Sequence, residues 1–289
     1  MSARGREATR RIAIVTGATR GIGYALADAM LREGMTVYAI GQDHSRVAAA
    51  AARLAHPQLH ARRMDVADVA AWEALLGEVR ETHGQIDWVI NNAGLVGGGE
   101  LADMDDARLR KMVDVNLWGV IHGSRLAAAF MRAQGSGYIV NVASMAGVLP
   151  VPFSAVYTAT KHAVFGFSLA LREELAPYGV GVHVVCPDVV DTGIFDHALD
   201  AAGYSYRTVI ARHSGRAITA EDAARHLLLG VKKGRGIIYT PPRSAVLGLL
   251  GRMFPSFIAR QVASRMAPGE AAPVSRGATS SPGNARSAA

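Results

Sequence analysis

The chain has 289 residues, half of them hydrophobic, which is enough for one large domain with a full core or for two small ones. Its net charge of +7 lies at the ends, because residues 1–11 carry +3 and residues 241–289 carry +5, which leaves −1 between them. This distribution argues against a nucleic-acid groove in the body of the protein. The start of the chain does not resemble a secretory signal, and no apolar run approaches the ~20 residues of a membrane span. We therefore predict a cytoplasmic protein.

A strand, a glycine turn and a helix are predicted at the start of the chain. Residues 12–15 are a short apolar run, residues 16–23 read TGATRGIG, and residues 24–33 have helical composition before Gly34. Glycines at a strand-to-helix turn let a pyrophosphate approach the backbone and the positive end of the helix. The spacing G-x-x-x-G-x-G therefore favours a nucleotide site over a simple turn.

The second predicted strand, residues 36–40, bears on the choice of cofactor. Dinucleotide folds often place an acidic residue at its end to hold the adenosine ribose, but Gly41 and Gln42 stand there. Arg20 in the glycine turn can attract a 2′-phosphate, so NADP(H) is favoured over NAD(H). Asp43, two residues beyond the usual place, leaves NAD(H) open.

The next two predicted strands also end in polar residues. Residues 59–64 lead to Asp65, which either bonds an adenine amino group or caps the helix that begins near Asp68. Residues 86–90 lead to the sequence NNAG at 91–94. Amides and small residues in this place either line a cofactor and tie strands together or form a turn.

The centre of the chain carries a tyrosine and a lysine one helical turn apart. Tyr157 and Lys161 fall in the helix predicted for residues 154–177, and Ser144 ends the strand predicted for residues 137–143. An ammonium about 4 Å from the phenol would lower the pKa of Tyr157 by up to roughly three units, so that it can exchange protons near neutral pH. If the fold brings Ser144 close, its hydroxyl would bond the same substrate oxygen. By itself, Tyr-x-x-x-Lys also occurs in helices by chance.

Two other residues stand out within apolar elements. Asn116 lies inside a long helical stretch, residues 105–134, where it either bends the helix and holds a water through its backbone carbonyl or simply faces solvent. Cys186 ends the sixth predicted strand, at residues 180–186, and as the only cysteine it cannot form an internal disulfide. We expect a buried strand thiol there and not a nucleophile.

The alternation of strands and helices continues to a seventh strand at residues 236–240. It predicts an α/β fold with a doubly wound, parallel, Rossmann-type sheet of about seven strands and helices on both faces. Residues 11–240 would form this domain, with a lid near residues 193–215 that covers a substrate. The helices are predicted at residues 24–33, 47–54, 70–83, 105–134, 154–177 and 219–233.

The two ends of the chain are expected to lie outside that domain. Residues 1–10 are predicted to be a flexible basic start, and residues 267–289 a disordered tail. Residues 241–266 form an apolar and basic extension that Pro255 divides into two short helices. The extension would cover the mouth of a substrate site or a subunit partner, and peripheral docking on a membrane is the alternative.

Together these segments resemble the short-chain dehydrogenase/reductase family over about residues 11–240. The resemblance implies a Rossmann-type fold and a nicotinamide cofactor. The matching segments are residues 16–23, Asp65-Val66, residues 91–94, Asn116, Ser144, Tyr157-x-x-x-Lys161 and residues 187–192. The implied catalytic tetrad is Asn116, Ser144, Tyr157 and Lys161.

The resemblance also implies where the ligands bind, and no metal site is expected. The cofactor residues would be Gly17, Thr19, Arg20, Gly21, Ile22, Gly23, Gln42, Asp65, Val66, Asn92, Ala93, Gly94, Tyr157, Lys161, Pro187, Val190 and Thr192. The substrate residues would be Ser144 and Tyr157, with Met145 and Phe153 from the apolar loop that follows and with Asp188. The apolar loop residues could instead only pack the core. Asp188 stands where the family usually has glycine, so its carboxylate would disturb the nicotinamide loop or contact a polar substrate group.

The implied activity is NAD(P)-dependent interconversion of a secondary alcohol and a ketone. Tyr157 would exchange the proton, Ser144 would orient the oxygen, Lys161 would bond the nicotinamide ribose, and Asn116 would hold a relay water. The apolar loop favours a lipophilic substrate such as a steroid, retinoid, long-chain or polyketide-like compound. The alternatives are a cofactor-binding regulator or scaffold without turnover, and an epimerase or dehydratase of the same fold. We expect a homodimer or homotetramer.

Overall fold

Seven short strands, all but β3 largely apolar, form the parallel sheet at the centre of the computed structural model, which describes residues 11–211 and 217–267. The strands are β1 Ile12–Thr16, β2 Thr36–Gly41, β3 Leu59–Arg63, β4 Trp88–Asn91, β5 Gly137–Val142, β6 Val180–Pro187 and β9 Ile237–Thr240. Their order is β3-β2-β1-β4-β5-β6-β9, so the direction of winding reverses between β1 and β4. This confirms the predicted doubly wound, Rossmann-type sheet.

Helices cover both faces of this sheet. They are α1 Gly21–Arg32, α2 His44–Leu54, α3 Val69–His83, α4 Asp106–Val113, α5 Gly119–Gln134, α6 Ala155–Leu175, α7 Tyr206–Ala211, α8 Ala220–Lys232, α9 Ser244–Met253 and α10 Pro255–Met266. Side-chain caps fix several starts: Asp43 accepts from the backbone of α2, Asp68 from that of α3 and Thr219 from that of α8. The cap of α3 is thus Asp68 and not Asp65.

Alternate residues of β1 enter two different cores. Ala13 and Val15 pack with α1 and α8 on one face, whereas Ile12 and Ile14 pack with α3, α5 and α6 on the other. Successive side chains of a strand point to opposite faces of the sheet, and helices cover both faces here. Every residue of such a strand is therefore buried, which explains why its sequence is continuously apolar.

Two features of the fold differ from the sequence prediction. The long helix predicted for residues 105–134 is interrupted by a π-helical turn at Asp114–Trp118, which separates α4 from α5. A small parallel sheet of β7 Val190–Asp191 and β8 Ile218–Thr219 was not predicted. Two-residue strands are too short to show a periodicity.

The C-terminal extension is helical, as predicted, and Pro255 opens the second of its two helices. Within the described ranges, no helix is both long and apolar enough to cross a bilayer. The predicted flexible start at residues 1–10, and the predicted tail from residue 268 onward, lie outside the described residues.

Candidate active site

The carboxyl ends of the strands open into a cavity of about 570 Å³, the size of a small-molecule site. It extends from the glycine turn after β1 to side chains of α7, α9 and α10. All of the predicted cofactor residues except Gly23 line it, and so do Ser144, Met145 and Asp188. Ligands of doubly wound sheets bind at such a reversal point.

Tyr157, Ser144 and Lys161 meet in the middle of the cavity. Ser144 hydrogen bonds to the Tyr157 side chain, and its Oγ also accepts from the Ala146 amide at 3.1 Å. The Lys161 Nζ lies 5.8 Å from the centre of the Tyr157 ring and donates to the Val142 carbonyl at 3.0 Å. Ser144, which follows β5, therefore lies close to Tyr157 and Lys161 of α6. The helical spacing predicted that Tyr157 and Lys161 share one face of this helix.

The acidity of this cluster differs from the prediction. Burial raises the pKa of Tyr157 above its ordinary value, against a smaller lowering by the Ser144 hydrogen bond. Burial also lowers the pKa of Lys161 to about 8, opposed by the neighbouring Cys186. The expected lowering at Tyr157 assumed a full positive charge about 4 Å away at a half-solvated site. Here desolvation dominates, and it favours the neutral form of both side chains.

Asn116 is fully buried in the π-helical turn, so it does not face solvent. Its side chain accepts from the Leu95 amide at 2.7 Å and donates to the Leu95 carbonyl at 2.8 Å. A Cβ added at Gly94 would lie 3.4 Å from Asn116 Oδ1 and 3.5 Å from Lys161 Nζ. Asn116 thus stands behind the cavity wall, beside Lys161. Its proposed contact with a water stays a prediction.

The glycine turn leaves the start of α1 open. Gly17 and Gly21 have φ of +65° and +54°, which side chains other than glycine rarely adopt. A Cβ at Gly17 would lie 2.9 Å from Ala93, and one at Gly23 would overlap the Gly17 carbonyl. Unlike α2, α3 and α8, helix α1 has no side-chain cap. Gly21 and Ile22, the first residues of α1, line the cavity, and an uncapped helix start of this kind fits a pyrophosphate.

The β4 amides tie the sheet together at this point. The Asn92 amide donates to Thr16 Oγ1 at 2.9 Å, and its side chain donates to the Thr16 carbonyl at 2.9 Å. The Asn91 side chain donates to Asn141 Oδ1 at 2.8 Å. These hydrogen bonds link β4 to β1 and to β5. They agree with the interpretation that the amides at the end of this strand tie neighbouring strands together.

The adenosine end of the cavity combines polar and basic groups. Gln42 Nε2 donates to Asp65 Oδ2 at 2.8 Å. Arg20 donates to the Gly193 carbonyl at 3.2 Å, and its pKa is lowered by burial and by the charge of Arg46. The sequence analysis missed Arg46, which lines the same cavity from the first turn of α2. The position of Arg46 in the first turn could be predicted only if Asp43 was recognised as the residue that caps α2.

At the substrate end, two predicted residues have other contacts. Phe153 is not among the residues that line the cavity, and its ring stacks on Tyr204 with centroids 6.2 Å apart. Asp188 does line it, but its carboxylate accepts from Ser244 Oγ at 2.7 Å and from the Val189 amide at 2.9 Å. The acid that replaces the family's glycine thereby joins the end of β6 to the start of α9.

Apolar side chains that the sequence analysis did not assign complete this end. Tyr206 is buried, and burial raises the pKa of its hydroxyl well above the ordinary value. The lining residues from the segment predicted as a lid and from the C-terminal helices are Ile194, Phe195, Tyr206, Ile210, Leu247, Val262, Arg265 and Met266. In the described part of the chain, no three histidine, cysteine or acidic residues are placed to hold a metal ion.

Known proteins match this chain along most of its length. The profile of the family described as short chain dehydrogenase matches residues 11–202. A relative from Streptomyces virginiae, named monensin polyketide synthase putative ketoacyl reductase, is 38% identical over 206 residues, 70% of this chain and 79% of its own. Putative oxidoreductase SadH of Mycobacterium tuberculosis is 32% identical over 269 residues, 89% of this chain and 95% of its own.

The fold has a close counterpart among solved structures. A short chain dehydrogenase/reductase from Burkholderia phymatum in complex with NAD superposes with a TM-score of 0.77 at 28% identity. The match covers 91% of this chain and 97% of that one.

Proposed function

The chain belongs to the short chain dehydrogenase family, and from that premise we propose that it reduces a lipophilic ketone to a secondary alcohol with NADP(H) as cofactor. It is an oxidoreductase of the short-chain type. The observation that carries the proposal is the meeting of Ser144, Tyr157 and Lys161 in the cavity that starts at the glycine turn.

The residues of the cavity fit a nicotinamide dinucleotide. The uncapped start of α1 and the side-chain-free turn at Gly17 would hold the pyrophosphate, and Lys161 would bond the nicotinamide ribose. Bound there, the cofactor supplies the exchange of a hydride with the substrate carbon. The chain itself supplies position and the proton.

In this mechanism Tyr157 acts as the acid. Its raised pKa keeps the phenol protonated, so the hydroxyl can give its proton to a carbonyl oxygen that is gaining charge. Ser144 Oγ holds the same oxygen and stabilises the charge as it develops. Lys161, with its ammonium on the Val142 carbonyl, stabilises the phenolate that remains. A phenol that is held neutral suits reduction of a ketone better than oxidation of an alcohol.

Two cations support NADP(H) over NAD(H). Arg20 and Arg46 line the cavity beside Gly41 and Gln42, where no carboxylate occupies the end of β2. Their combined charge favours a 2′-phosphate. The Burkholderia phymatum structure holds NAD, so the fold also accommodates the cofactor without this phosphate.

The lipophilic substrate follows from the other end of the cavity. Apolar side chains of the lid and of the C-terminal helices surround the space beyond Tyr157. The name of the Streptomyces virginiae relative, a putative ketoacyl reductase of polyketide synthesis, supports a polyketide-like ketone as one such substrate.

A panel of ketones tests the proposal, with oxidation of NADPH as the readout. We expect turnover of long-chain, steroid-like or polyketide-like ketones and little turnover of small hydrophilic sugars. Tyr157→Phe should keep cofactor binding and lose turnover by about three orders of magnitude or more. Tyr138→Phe, at the opposite end of β5, is the matched control and should behave as the unchanged chain.

Three results would contradict the proposal. Near-normal turnover by Tyr157→Phe would remove this residue as the acid. Cofactor binding without turnover of any ketone or alcohol would indicate a regulator or scaffold. Conversion of substrate without net consumption of NADPH would indicate an epimerase or dehydratase.

A further inference from the structure

Helix α9 packs on the protein through its smallest residues. Ser244, Gly248 and Gly251 are its buried positions. A Cβ added at Gly248 would lie 2.9 Å from the Tyr239 ring, and one at Gly251 would overlap Leu149. The large apolar side chains of α9 therefore point away from the core. In a helix that only completes a core, the small and large residues would be exchanged.

These side chains continue onto the start of α10 and form one surface, which we call the C-terminal apolar face. Twelve large apolar side chains of the described residues are exposed, and seven of them fall between positions 246 and 257. The face consists of Val246, Leu247, Leu249, Leu250, Met253, Phe254 and Phe257. Val246, Leu249 and Met253 are each about 60% exposed (66%, 59% and 60%). An apolar surface this continuous marks an interaction site.

The charged residues within the segment that carries this face have one sign. Residues 241–267 contain four arginines and no aspartate or glutamate. All four, at positions 243, 252, 260 and 265, are exposed. Two copies of the face against each other would bring eight arginines together without a carboxylate, which opposes a subunit contact through it. An apolar face bordered by arginines is instead the pattern of a helix that lies in the headgroup region of an anionic bilayer.

The face also adjoins the substrate end of the cavity. Leu247 belongs to the face and lines the cavity, and Arg265 and Met266 of α10 line it too. We propose that the C-terminal apolar face docks on an anionic lipid bilayer and places the cavity entrance at the membrane surface. A lipophilic ketone could then pass from the bilayer into the cavity without crossing water. The docking step itself does not depend on the proposed reaction.

Sedimentation of the full chain with vesicles tests this docking. We expect it to bind vesicles that contain phosphatidylglycerol, to bind pure phosphatidylcholine vesicles at least about tenfold more weakly, and to release at high salt. The variant Leu249→Ser/Met253→Ser/Phe257→Ser should lower the partition coefficient about a hundredfold. Cofactor binding should be unchanged in this variant, because none of the three residues lines the cavity.

A matched variant removes three apolar side chains elsewhere that are 55%, 45% and 46% exposed, against 59%, 60% and 55% for the three on the face. Leu101→Ser/Tyr178→Ser/Leu229→Ser should bind anionic vesicles as the unchanged chain does. A single change, Phe257→Trp, should add a fluorescence component that brominated acyl chains quench. This last readout does not require the triple variant to fold.

Several results would overturn the proposal. The unchanged chain could stay in the supernatant with anionic vesicles, or the triple variant could bind as strongly as its matched control. Equal binding to neutral and anionic vesicles would remove the role of the arginines. A fall in molar mass of the triple variant by light scattering would show that the face is a subunit interface. None of these depends on finding the substrate, so failure of docking and failure of the proposed reaction are separate results.

Discussion

The pKa values of Lys161 and of the neighbouring Tyr157 were the properties of the site that the sequence predicted least well. A lysine four positions after a tyrosine was correctly expected beside it, but the sequence does not show that both side chains are desolvated. Desolvation reverses the expected direction at Tyr157 and brings the pKa of Lys161 down to about 8. The adjacency of Tyr157 and Lys161 could be predicted from the period of a helix. The direction of the pKa shift could not, because it depends on what the rest of the fold places around the pair.

The lowered pKa of Lys161 predicts a pH dependence of cofactor binding. Below pH about 8 the amine is charged and can bond the ribose and attract the phosphates, and above it the charge is lost. The affinity for NADPH, measured by fluorescence titration, should therefore fall as the pH rises through about 8. Lys161→Met should bind more weakly and show no such step. A wild-type affinity that is level across this range would contradict the assignment.

Arg46 carries a second prediction at the scale of one residue. Arg46→Ala should lower kcat/KM for NADPH about tenfold while changing that for NADH less than about threefold, because only NADPH carries the 2′-phosphate. Arg53→Ala is the matched control from the same helix, since the Arg53 guanidinium lies over the Tyr24 ring, 4.5 Å from its centre. Equal losses for both cofactors in the Arg46 variant would show that Arg46 does not recognise the phosphate.

Individual strands and helices were the most predictable level of this protein. Short runs between turn signals predicted all seven strands of the main sheet, the polar β3 among them, and Pro255 predicted the division of the C-terminal extension. Asn116 indicated a bend as one interpretation, but the π-helical turn at Asp114–Trp118 was not predicted, because Asn116 is held there by the backbone of Leu95. Long-range contacts of this kind leave no local pattern.

Contacts between helices and sheet predict opposite effects for two helical glycines. A Cβ at Gly123 of α5 would lie 2.7 Å from the Trp72 ring and would overlap Asn91 Oδ1, whereas one at Gly77 of α3 would meet no atom within 4 Å. Gly123→Ala should therefore lower the free energy of unfolding by about 2 kcal/mol through overpacking. Gly77→Ala should raise it by about 0.5–1 kcal/mol. Urea denaturation of both variants measures this. The same sign in both would contradict the packing of α5 on α3 and β4.

At the scale of the whole molecule, the parallel, doubly wound sheet and a cavity at the carboxyl ends of its strands followed from the βα alternation, but the construction of the far end of the cavity did not. The lid was predicted only as a polar interruption. In the structure, Tyr204 donates to the Met266 carbonyl at 3.1 Å, and Tyr206, Val209 and Met266 share one apolar cluster. Tyr206 and Val209, from the segment predicted as a lid, thus pack with the end of the last helix, although more than 50 residues separate them from Met266 in the chain.

This shared closure predicts the result of shortening the chain. A chain that ends at residue 240 keeps the glycine turn, Ser144, Tyr157 and Lys161, and loses the cavity wall formed by α9 and α10. We expect its affinity for NADPH to stay within about threefold, while KM for a long-chain ketone rises about tenfold or more and KM for a short ketone changes little. A chain that ends at residue 267 is the control, because it keeps both helices and should match the full chain. An unchanged KM for the long-chain ketone in the shorter chain would show that the C-terminal helices take no part in binding the substrate. Loss of NADPH binding would show instead that residues 11–240 are not a self-sufficient domain. It would thus contradict the domain boundary at residue 240 that the sequence predicts.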